Sequence, residues 1–400
     1  MNLRDQHIIR NPAQVMLMSA LFLPLFGIFL LLSGRLHQTV RVGVPAQLTS
    51  LPGTLSFTPS PPVVVTNQPA WVAPPDFPLN NRLEALSHLI YDYLLARRFV
   101  PDTQQVGSVF LLDLNTGENY SIYPEVAYSG MSLIKIPILV AVYRKIGAIP
   151  TMSQAQDIAL MIICSENLSA NQLLSFLGDG DIYRGADLVT ETMQALGLQD
   201  TFLTGSLWVG DLGIVPVATV PPLPLRKTNA DQRITEPDGY NQTTPADLGW
   251  LLAGIYQCAL DGTGPLTVVF PEQLTMQKCR AMLQVLRAND IPALIRAGVP
   301  AGLPVAHKHG WVNEVHGDAG IIFSPGGEYV LVVMLRNKMW LEYGDSFPTI
   351  AEISRMVYNT FNPAEPLDNT HTESIPLCSL GSISSQLFTD LRSGSLPPIR

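Results

Sequence analysis

Cysteine is scarce in this chain, with four residues among 400, so a disulfide scaffold that replaces a hydrophobic core is excluded. The 47% of hydrophobic residues can supply one core of about 250 residues or two smaller ones. Cys258 and Cys279 lie near the end of one predicted helix and within the next, where a disulfide and two free buried thiols fit equally well. Cys164 lies on another predicted helix, and we expect it in the core.

Basic residues are also few, and they form no run. The chain has 24 Lys and Arg against 33 Asp and Glu, which gives a formal net charge of −9. A partner that is held by its phosphates needs a basic patch. The composition therefore argues against nucleic acid as a binding partner. Separately, we expect a monomer that uses no cofactor.

The sequence has a single long apolar run, VMLMSALFLPLFGIFLLLS at residues 15–33. At about 1.5 Å per residue, a helix of this length nearly matches a hydrocarbon core of about 30 Å. The run is long for a secretory signal and has a poor cleavage site, which favours an uncleaved transmembrane anchor over a cleaved signal. We expect residues 1–14 to be cytoplasmic and the remainder to lie outside the cytoplasm, at the cell membrane or secreted if the run is cleaved.

Proline is frequent in the segment that follows the apolar run and again at the C-terminal end. Its spacing in residues 34–78 forbids helices and favours extended chain, which predicts a linker. Residues 363–400 are polar, contain proline and show no periodicity. We therefore expect a disordered tail there.

Residues 79–362 combine helix and strand patterns. An amphipathic helix is followed by two strand-like runs joined at residues 115–117 (Asn-Thr-Gly), a turn typical of a hairpin. Helices fill the middle, residues 201–243 are predicted to form a loop, and three strand-like runs and an amphipathic helix close the segment. Strands at both ends exclude successive βαβ units. The predicted fold is α+β, an antiparallel five-stranded sheet covered by the N- and C-terminal helices, with a second, all-helical lobe across a cleft.

A serine and a lysine three positions apart, Ser132 and Lys135, open a predicted helix. This spacing brings the hydroxyl and the amine to one face of the helix. A hydroxyl becomes a nucleophile when a base lies within hydrogen-bonding distance, and a lysine amine is such a base when burial and the helix dipole disfavour its charge. Taken alone, the pair is better explained as an N-cap serine followed by a solvated lysine.

Two further motifs follow along the chain. Ser165–Asn167 precedes a helix and is explained either by helix capping or by a hydroxyl that relays a proton beside a positioning amide. Lys308–Gly310 lies in a strand-like run, where the lysine can bind a substrate carboxylate and the glycine admits a substrate close to the strand. The alternative for Lys308 is a solvated edge strand that the charge protects from aggregation.

The three motifs occur in the order of S-x-x-K, S-D-N and K-T-G, the signature set of class A β-lactamases and penicillin-binding proteins. Residues 79–362 resemble that family in other segments too, such as QVGSVFLLDLNTGENYSIYP and TTPADLGWLL. The resemblance implies a serine hydrolase that opens β-lactam amide bonds. It leaves open a D-Ala-D-Ala carboxypeptidase of cell-wall metabolism, and a β-lactam sensor that stays acylated.

The resemblance also implies a role for each motif residue: nucleophile Ser132, proton acceptor Lys135, proton relay Ser165, positioning amide Asn167, and substrate contacts Lys308, His309, Gly310 and Trp311. The backbone N–H groups of Ser132 and Trp311 would form the oxyanion hole. The expected substrate is a β-lactam or a D-Ala-D-Ala peptide.

Three departures from the family pattern change what we expect. The family's E-x-x-L-N loop, whose glutamate activates the deacylating water, is missing, and Glu236 is the nearest substitute, with Asp231 and Asp238 as weaker candidates. Ser165 follows the nucleophile by only 33 positions, fewer than usual, so a more open cleft is expected. His309 replaces the usual Thr or Ser and lacks the hydroxyl that helps to bind a carboxylate.

A group of potential metal ligands lies near the third motif: His307, His309, Glu314, His316 and Asp318. Two histidines on one face of a strand form a spacing that zinc enzymes use. The full H-x-H-x-D-H string is absent, which favours polar residues around a turn over a metal site. We therefore expect no metal.

Overall fold

The computed structural model describes residues 81–101, 104–209, 228–232 and 234–393. The predicted cytoplasmic segment, anchor and linker lie outside these residues. Among the helices within them, none combines the length and the apolar character that crossing a bilayer requires.

The strands of the described residues are β1 Gln105–Asp113, β2 Asn119–Ile122, β3 Tyr128–Ser129, β4 Phe202–Leu203, β5 Asn241–Thr243, β6 Val305–Trp311, β7 Val315–Ser324 and β8 Gly327–Asn337. Five of them form an antiparallel sheet in the order β2-β1-β8-β7-β6. The predicted five-stranded sheet and its hairpin are confirmed. In the hairpin turn, Asp113 Oδ1 accepts the N–H of Asn115, and Gly117 adopts the positive φ that the turn requires.

The helices are α1 Asn81–Ala96, α2 Lys135–Lys145, α3 Met152–Ile162, α4 Asn167–Leu177, α5 Ile182–Ala195, α6 Pro245–Asp261, α7 Pro265–Val269, α8 Met276–Arg287, α9 Tyr343–Phe361 and α10 Ser385–Ser393. Short 3₁₀ segments lie at Leu294–Gly298 and Leu380–Ser382. Helices α1 and α9 pack on one face of the sheet, as predicted, while α6 and α8 join the other face to the helical lobe.

Both faces of the sheet are buried, and the sequence of β8 shows why. Its run of apolar residues alternates between two cores: Val330 and Val332 belong to the core of the helical lobe, while Leu331 and Val333 belong to the core under α1 and α9. A continuous apolar run is what a strand covered on both faces requires. The sheet is therefore a rigid support for β6, its edge strand on the side of the cleft.

A second, three-stranded sheet lies beside the cleft, in the order β3-β5-β4. The prediction that residues 201–243 form only a loop is wrong at β4 and β5. Strands of two and three residues are too short to show a hydrophobic period, so the sequence carries no usable signal for them. The small sheet matters because β3 leads directly into the turn that carries Ser132.

The prediction of a disordered C-terminal tail is wrong for residues 363–393. Helix α10 buries Leu387, Phe388 and Leu391 in the core of the helical lobe. Before it, the N–H of Glu373 donates to Pro292 O at 2.8 Å. The tail has too few apolar residues to show a helical period in the sequence. The apolar residues of α10 nevertheless lie on one face of this short helix and pack against the lobe.

Two disulfides are present. Cys258 and Cys279 form a disulfide between α6 and α8, which decides the alternative that the sequence left open. The expectation that Cys164 is a core residue is wrong, since this residue is only half-buried and bonds to Cys378 in the tail. The sequence does not suggest this pair, because a tail that is predicted to be disordered offers Cys164 no fixed partner.

Candidate active site

Ser132 lies in a tight turn between β3 and α2. Leu133 N–H donates to Gly130 O at 3.0 Å, and Lys135 N–H donates to Ser132 O at 3.3 Å, so α2 itself begins at Lys135 and not at the serine. Met131 has a positive φ of 50°, a backbone conformation that costs a non-glycine residue on the order of 1 kcal/mol. The turn still brings the two side chains together, with Lys135 Nζ 3.1 Å from Ser132 Oγ.

The amine of Lys135 is completely buried. Besides Ser132 Oγ, its Nζ lies within hydrogen-bonding distance of Ser165 O at 2.5 Å, Ser165 Oγ at 3.2 Å and Asn167 Oδ1 at 2.6 Å. Burial lowers the pKa of Lys135 to about 7, an effect that the negative charge of Glu166 partly opposes. A large fraction of this amine is therefore uncharged at neutral pH and can accept a proton from a hydroxyl. The solvated-lysine explanation does not hold.

Ser165 and Asn167 direct their side chains into the cleft and do not cap α4. The N-cap residue is Glu166, whose side chain makes no capping bond and instead accepts a hydrogen bond from Ser169 Oγ at 2.5 Å. Ser165, with a φ of 58°, brings its Oγ to 3.0 Å from Lys308 Nζ. The hydroxyl of Ser165 thus lies between two lysines, as a proton relay requires.

Lys308 is as deeply buried as Lys135, and its Nζ also donates to the carbonyl of His309 at 2.8 Å. Burial, followed by the charge of Lys135, holds the pKa of Lys308 well below its ordinary value. No carboxylate among the described residues lies within ion-pair distance of either amine. An anionic substrate would supply the missing negative charge.

Gly310 lies against the turn that carries Ser132. A Cβ at this position would approach Ser132 N to 2.8 Å and Leu133 N to 3.1 Å, closer than a side chain can be accommodated without a shift of the turn. The N–H of Ser132 therefore borders the strand edge directly. Any larger residue would push β6 away from Ser132.

The backbone of β6 turns alternate groups towards the cleft. Val312 N–H donates to Val315 O, which fixes the even-numbered residues of β6 as those that bond to β7. The N–H of Trp311 therefore points away from β7. The carbonyl of His309, which points the same way, accepts from Lys308. Two N–H groups, those of Ser132 and Trp311, thus border the same part of the cleft.

His309 lines the cleft and is held from behind by Asn289. Asn289 Nδ2 donates to His307 O at 3.1 Å and lies 3.2 Å from His309 Nδ1. Because the carbonyl oxygen of His307 can only accept, the Asn289 amide must direct Nδ2, and not Oδ1, towards both His307 O and His309 Nδ1. Burial, followed by the charge of Lys308, keeps the pKa of His309 well below its usual range. The neutral ring therefore accepts at Nδ1 and carries its proton on Nε2.

The remaining histidines do not converge on a metal. His307 pairs with Asp318 at 2.9 Å, and both side chains are fully buried. His316 contacts Ser346 Oγ at 2.6 Å, and burial lowers its pKa to about 4. In the part of the chain that the structure describes, no three His, Cys, Asp or Glu residues form a metal-binding group.

The cleft is a cavity of about 910 Å³. Sequence reasoning missed most of its wall, which includes Tyr183, Leu203, Leu207, Trp208, Tyr240, Asn241, Val312 and Tyr343. Trp208 is 79% exposed, and its carbonyl accepts from Asn167 Nδ2 at 2.6 Å. An exposed tryptophan beside a catalytic motif is unusual, but the sequence alone does not reveal its exposure.

The predicted substitute base is not part of this wall. Glu236 is exposed, has a φ of 46° and does not line the cavity, and Asp231 is also absent from the lining. The carboxylates that do line it are Asp238 and Glu314. Neither makes a hydrogen bond to Ser132 or Lys135 among the contacts of the described residues.

Comparison with known proteins identifies relatives of this architecture. The model of the family described as "Beta-lactamase enzyme family" matches residues 95–149 and 147–361. A variant of PBP-A, solved as an acyl-enzyme complex with penicillin G, is 22% identical, covers 72% of this chain and 99% of its own, and gives a TM-score of 0.50. A class A β-lactamase from Bacteroides cellulosilyticus is 17% identical over 71% of this chain and 99% of its own, with a TM-score of 0.51. No curated protein matches the chain.

Proposed function

Because the chain belongs to the β-lactamase enzyme family, we propose that it hydrolyses β-lactam amide bonds through an acyl-enzyme on Ser132. At the coarser level, the chain is a serine hydrolase of the β-lactamase and penicillin-binding-protein type. The observation that carries the proposal is the contact between Ser132 Oγ and the buried amine of Lys135 at 3.1 Å. An uncharged amine at that distance is the base that a serine nucleophile needs.

Acylation follows from the positions of these groups. Lys135 Nζ accepts the proton of Ser132 Oγ while the oxygen attacks the carbonyl carbon, and the N–H groups of Ser132 and Trp311 bind the developing oxyanion. The C–N bond then breaks, and the leaving nitrogen takes a proton from Ser165 Oγ. That hydroxyl is reprotonated by Lys135, whose Nζ lies 3.2 Å away. The proton taken from the nucleophile is thereby returned to the leaving group.

The substrate carboxylate would bind beside Lys308 and His309. Arrival of a negative charge raises the pKa of a buried lysine, so binding would restore the ammonium form of Lys308. The Nε2–H of His309 supplies a neutral donor where the family has a hydroxyl. Both β-lactams and D-Ala-D-Ala peptides carry such a carboxylate, which supports either substrate.

A second candidate, a D-Ala-D-Ala carboxypeptidase or an acylated sensor, is favoured by the position of Glu236. This carboxylate is exposed outside the cavity, so the base that would activate the deacylating water in a β-lactamase has no evident substitute in the predicted place. Slow release of a β-lactam acyl group is the expected consequence. Asp238 and Glu314 remain as carboxylates on the wall.

Steady-state turnover of nitrocefin and intact mass after exposure to penicillin test these alternatives together. A β-lactamase turns over many equivalents, whereas a peptidase or a sensor gives a burst of one equivalent and a stable mass increase that Ser132→Ala abolishes. Release of D-alanine from a cell-wall peptide then separates a peptidase from a sensor. If the parent protein neither gains the penicillin mass nor turns over nitrocefin, the proposal is wrong.

We also propose that the domain acts outside the cytoplasm, attached to the cell membrane by residues 15–33. The apolar length of that run supports an anchor. Two disulfides support an oxidising compartment, since such bonds are rare in the cytosol. Cell fractionation tests this proposal: recovery of the protein in the soluble cytoplasmic fraction would contradict it.

A further inference from the structure

The C-terminal tail is covalently joined to the residue that precedes Ser165. Cys164 bonds to Cys378 and itself lines the catalytic cavity. We propose that the tail, acting through this disulfide, is a positioning element that holds Ser165 between Lys135 and Lys308. The proposal rests on the proposed acylation of Ser132 and adds a part of the chain to that site that lies outside the residues matched by the family.

Ser165 needs to be held, because its segment has little regular structure of its own. Helix α3 ends at Ile162 and α4 begins at Asn167. Within the connection, Glu166 N–H donates back to Leu160 O at 3.1 Å, and Ser165 has the left-handed φ of 58°. Such a conformation persists in a non-glycine residue only when its surroundings impose it.

The position of Ser165 determines three contacts at once. Its carbonyl accepts from Lys135, and its hydroxyl lies 3.2 Å from Lys135 Nζ and 3.0 Å from Lys308 Nζ. A displacement of about 1 Å would lengthen at least one hydroxyl contact beyond hydrogen-bonding distance. It would also admit water next to Lys135, whose low pKa depends on burial. Loss of the restraint therefore has a specific electrostatic consequence.

The tail is fixed on both sides of Cys378 and can act as a restraint. On one side, the N–H groups of His371 and Glu373 donate to Ala297 O and Pro292 O at 3.0 and 2.8 Å. On the other, α10 buries its apolar residues in the core of the helical lobe. A disulfide to a segment anchored in this way limits the movement of Cys164.

The two disulfides differ in exposure, which makes a selective experiment possible. Cys378 is exposed and Cys164 half-buried, whereas Cys258 and Cys279 are both completely buried. A dithiol reductant such as dithiothreitol attacks an accessible sulfur, becomes a cyclic disulfide and leaves two cysteine thiols. Mild treatment of the folded full chain should therefore open Cys164–Cys378 first, which a mass gain of two hydrogens and peptide mapping verify.

The experiment measures the rate of acylation by penicillin against pH, before and after selective reduction. We expect the rate at neutral pH to fall by about tenfold to 100-fold, since misplacement of a reacting group by about 1 Å can cost about 100-fold. We also expect the rising limb of the pH profile to move to higher pH, because hydration returns the pKa of Lys135 towards its ordinary value. A loss of overall stability alone would not move that limb.

Cys378→Ala should reproduce both effects without reductant. The matched control is the double variant Cys258→Ala/Cys279→Ala, which removes the other disulfide and should keep the parent rate and the parent limb at temperatures where it is folded. An unchanged rate and limb after selective reduction would overturn the proposal. So would an equal change in the control variant.

Hydrogen exchange of residues 160–170, measured without substrate, keeps this inference separate from the proposed function. Faster exchange after selective reduction supports the tether even if penicillin never acylates the parent protein, in which case the proposed function is what fails. If the parent is acylated but reduction alters neither exchange nor acylation, the tether is wrong and the proposed function stands. Where Cys378→Ala does not fold, reduction of the folded parent gives the same comparison.

Discussion

The two faces of strand β6 differ in whether a buried ionisable side chain has a carboxylate as its partner. On one face, Lys308 shares the hydroxyl of Ser165 with Lys135, and no described carboxylate pairs with either amine. On the other face, His307 is paired with Asp318 at 2.9 Å. The first face therefore has no paired carboxylate among the described residues and could take one from a substrate, whereas the second contains its own in Asp318. Reactivity should therefore depend on the first face and stability on the second.

The largest effect should come from the lysine pair on the face of β6 that carries Lys308, where no described carboxylate pairs with either amine. Lys135→Ala removes the proposed base, and the acylation rate should fall by about 10²–10⁴-fold. In the parent, acylation should rise with pH through about pH 7, because the uncharged amine is the active form and its pKa is about 7. Stopped-flow or quenched-flow kinetics with penicillin check both results.

The control for this variant is Lys145→Ala, which removes a lysine from the end of the same helix. Lys145 is exposed, pairs with Asp179 at 2.5 Å and does not line the cleft. Its acylation rate and pH profile should match the parent. If Lys135→Ala keeps its rate within a few fold, the contrast between the two faces of β6 is lost.

A second large effect is expected from Gly310→Ala. The added methyl group would meet Ser132 N at 2.8 Å and displace the N–H of the proposed oxyanion hole, so kcat should fall by about 10²-fold. Gly344→Ala in α9, where a Cβ meets nothing within 4 Å, is the matched change at an open position and should leave kcat unchanged. Equal kcat values for the two variants would contradict the close approach of β6 to the nucleophile.

A change on the face of β6 that carries His307 should lower the free energy of unfolding. Asp318→Asn leaves His307 without its carboxylate in a buried site, and the free energy of unfolding should fall by about 3 kcal/mol. Acylation of the folded fraction should remain within a few fold of the parent. Urea unfolding followed by circular dichroism gives the first quantity and acylation kinetics the second. A variant that keeps its stability but loses acylation would assign His307 and Asp318 to the reactive side.

The smallest effect is expected at His309, which lies on the same face of β6 as His307 and also lines the cleft. His309→Phe keeps the ring that stacks on Trp311 but removes the Nε2 donor, so KM for a lactam carboxylate should rise about tenfold at nearly constant kcat. The methyl ester of the same lactam lacks the charge and should show no such change. An equal rise in KM for acid and ester would mean that the ring acts by packing alone.

The sequence predicted the parts of this molecule that rest on long patterns. Strands β6, β7 and β8 follow from runs of seven or more residues, and α2 follows from its apolar periodicity. The chemistry of the cleft followed from three short motifs only because they occur together. Each motif alone has an ordinary explanation. The burial of Lys135 and Lys308 excludes solvated lysines, and the N-cap position of Glu166 excludes capping by Ser165 or Asn167.

The features that escaped prediction depend on contacts between distant residues. The short strands β4 and β5 exist because they pair with β3, and the tail is ordered because α10 finds an apolar surface on the lobe. The sequence predicts Glu236 as the substitute base from its distance along the chain to the next helix, yet its position in space is set by a turn with positive φ. Spacing along the chain carries little information on such placement.

The docked tail has a practical consequence for recombinant work on this protein. The matched family region ends at residue 361, so a domain boundary chosen by homology would delete α10 together with Cys378. Such a truncation would expose the apolar patch that Leu387, Phe388 and Leu391 cover, and would leave an unpaired thiol at Cys164 on the cavity wall. Aggregation and intermolecular crosslinking are the expected results. Expression should therefore retain the chain at least to Ser393.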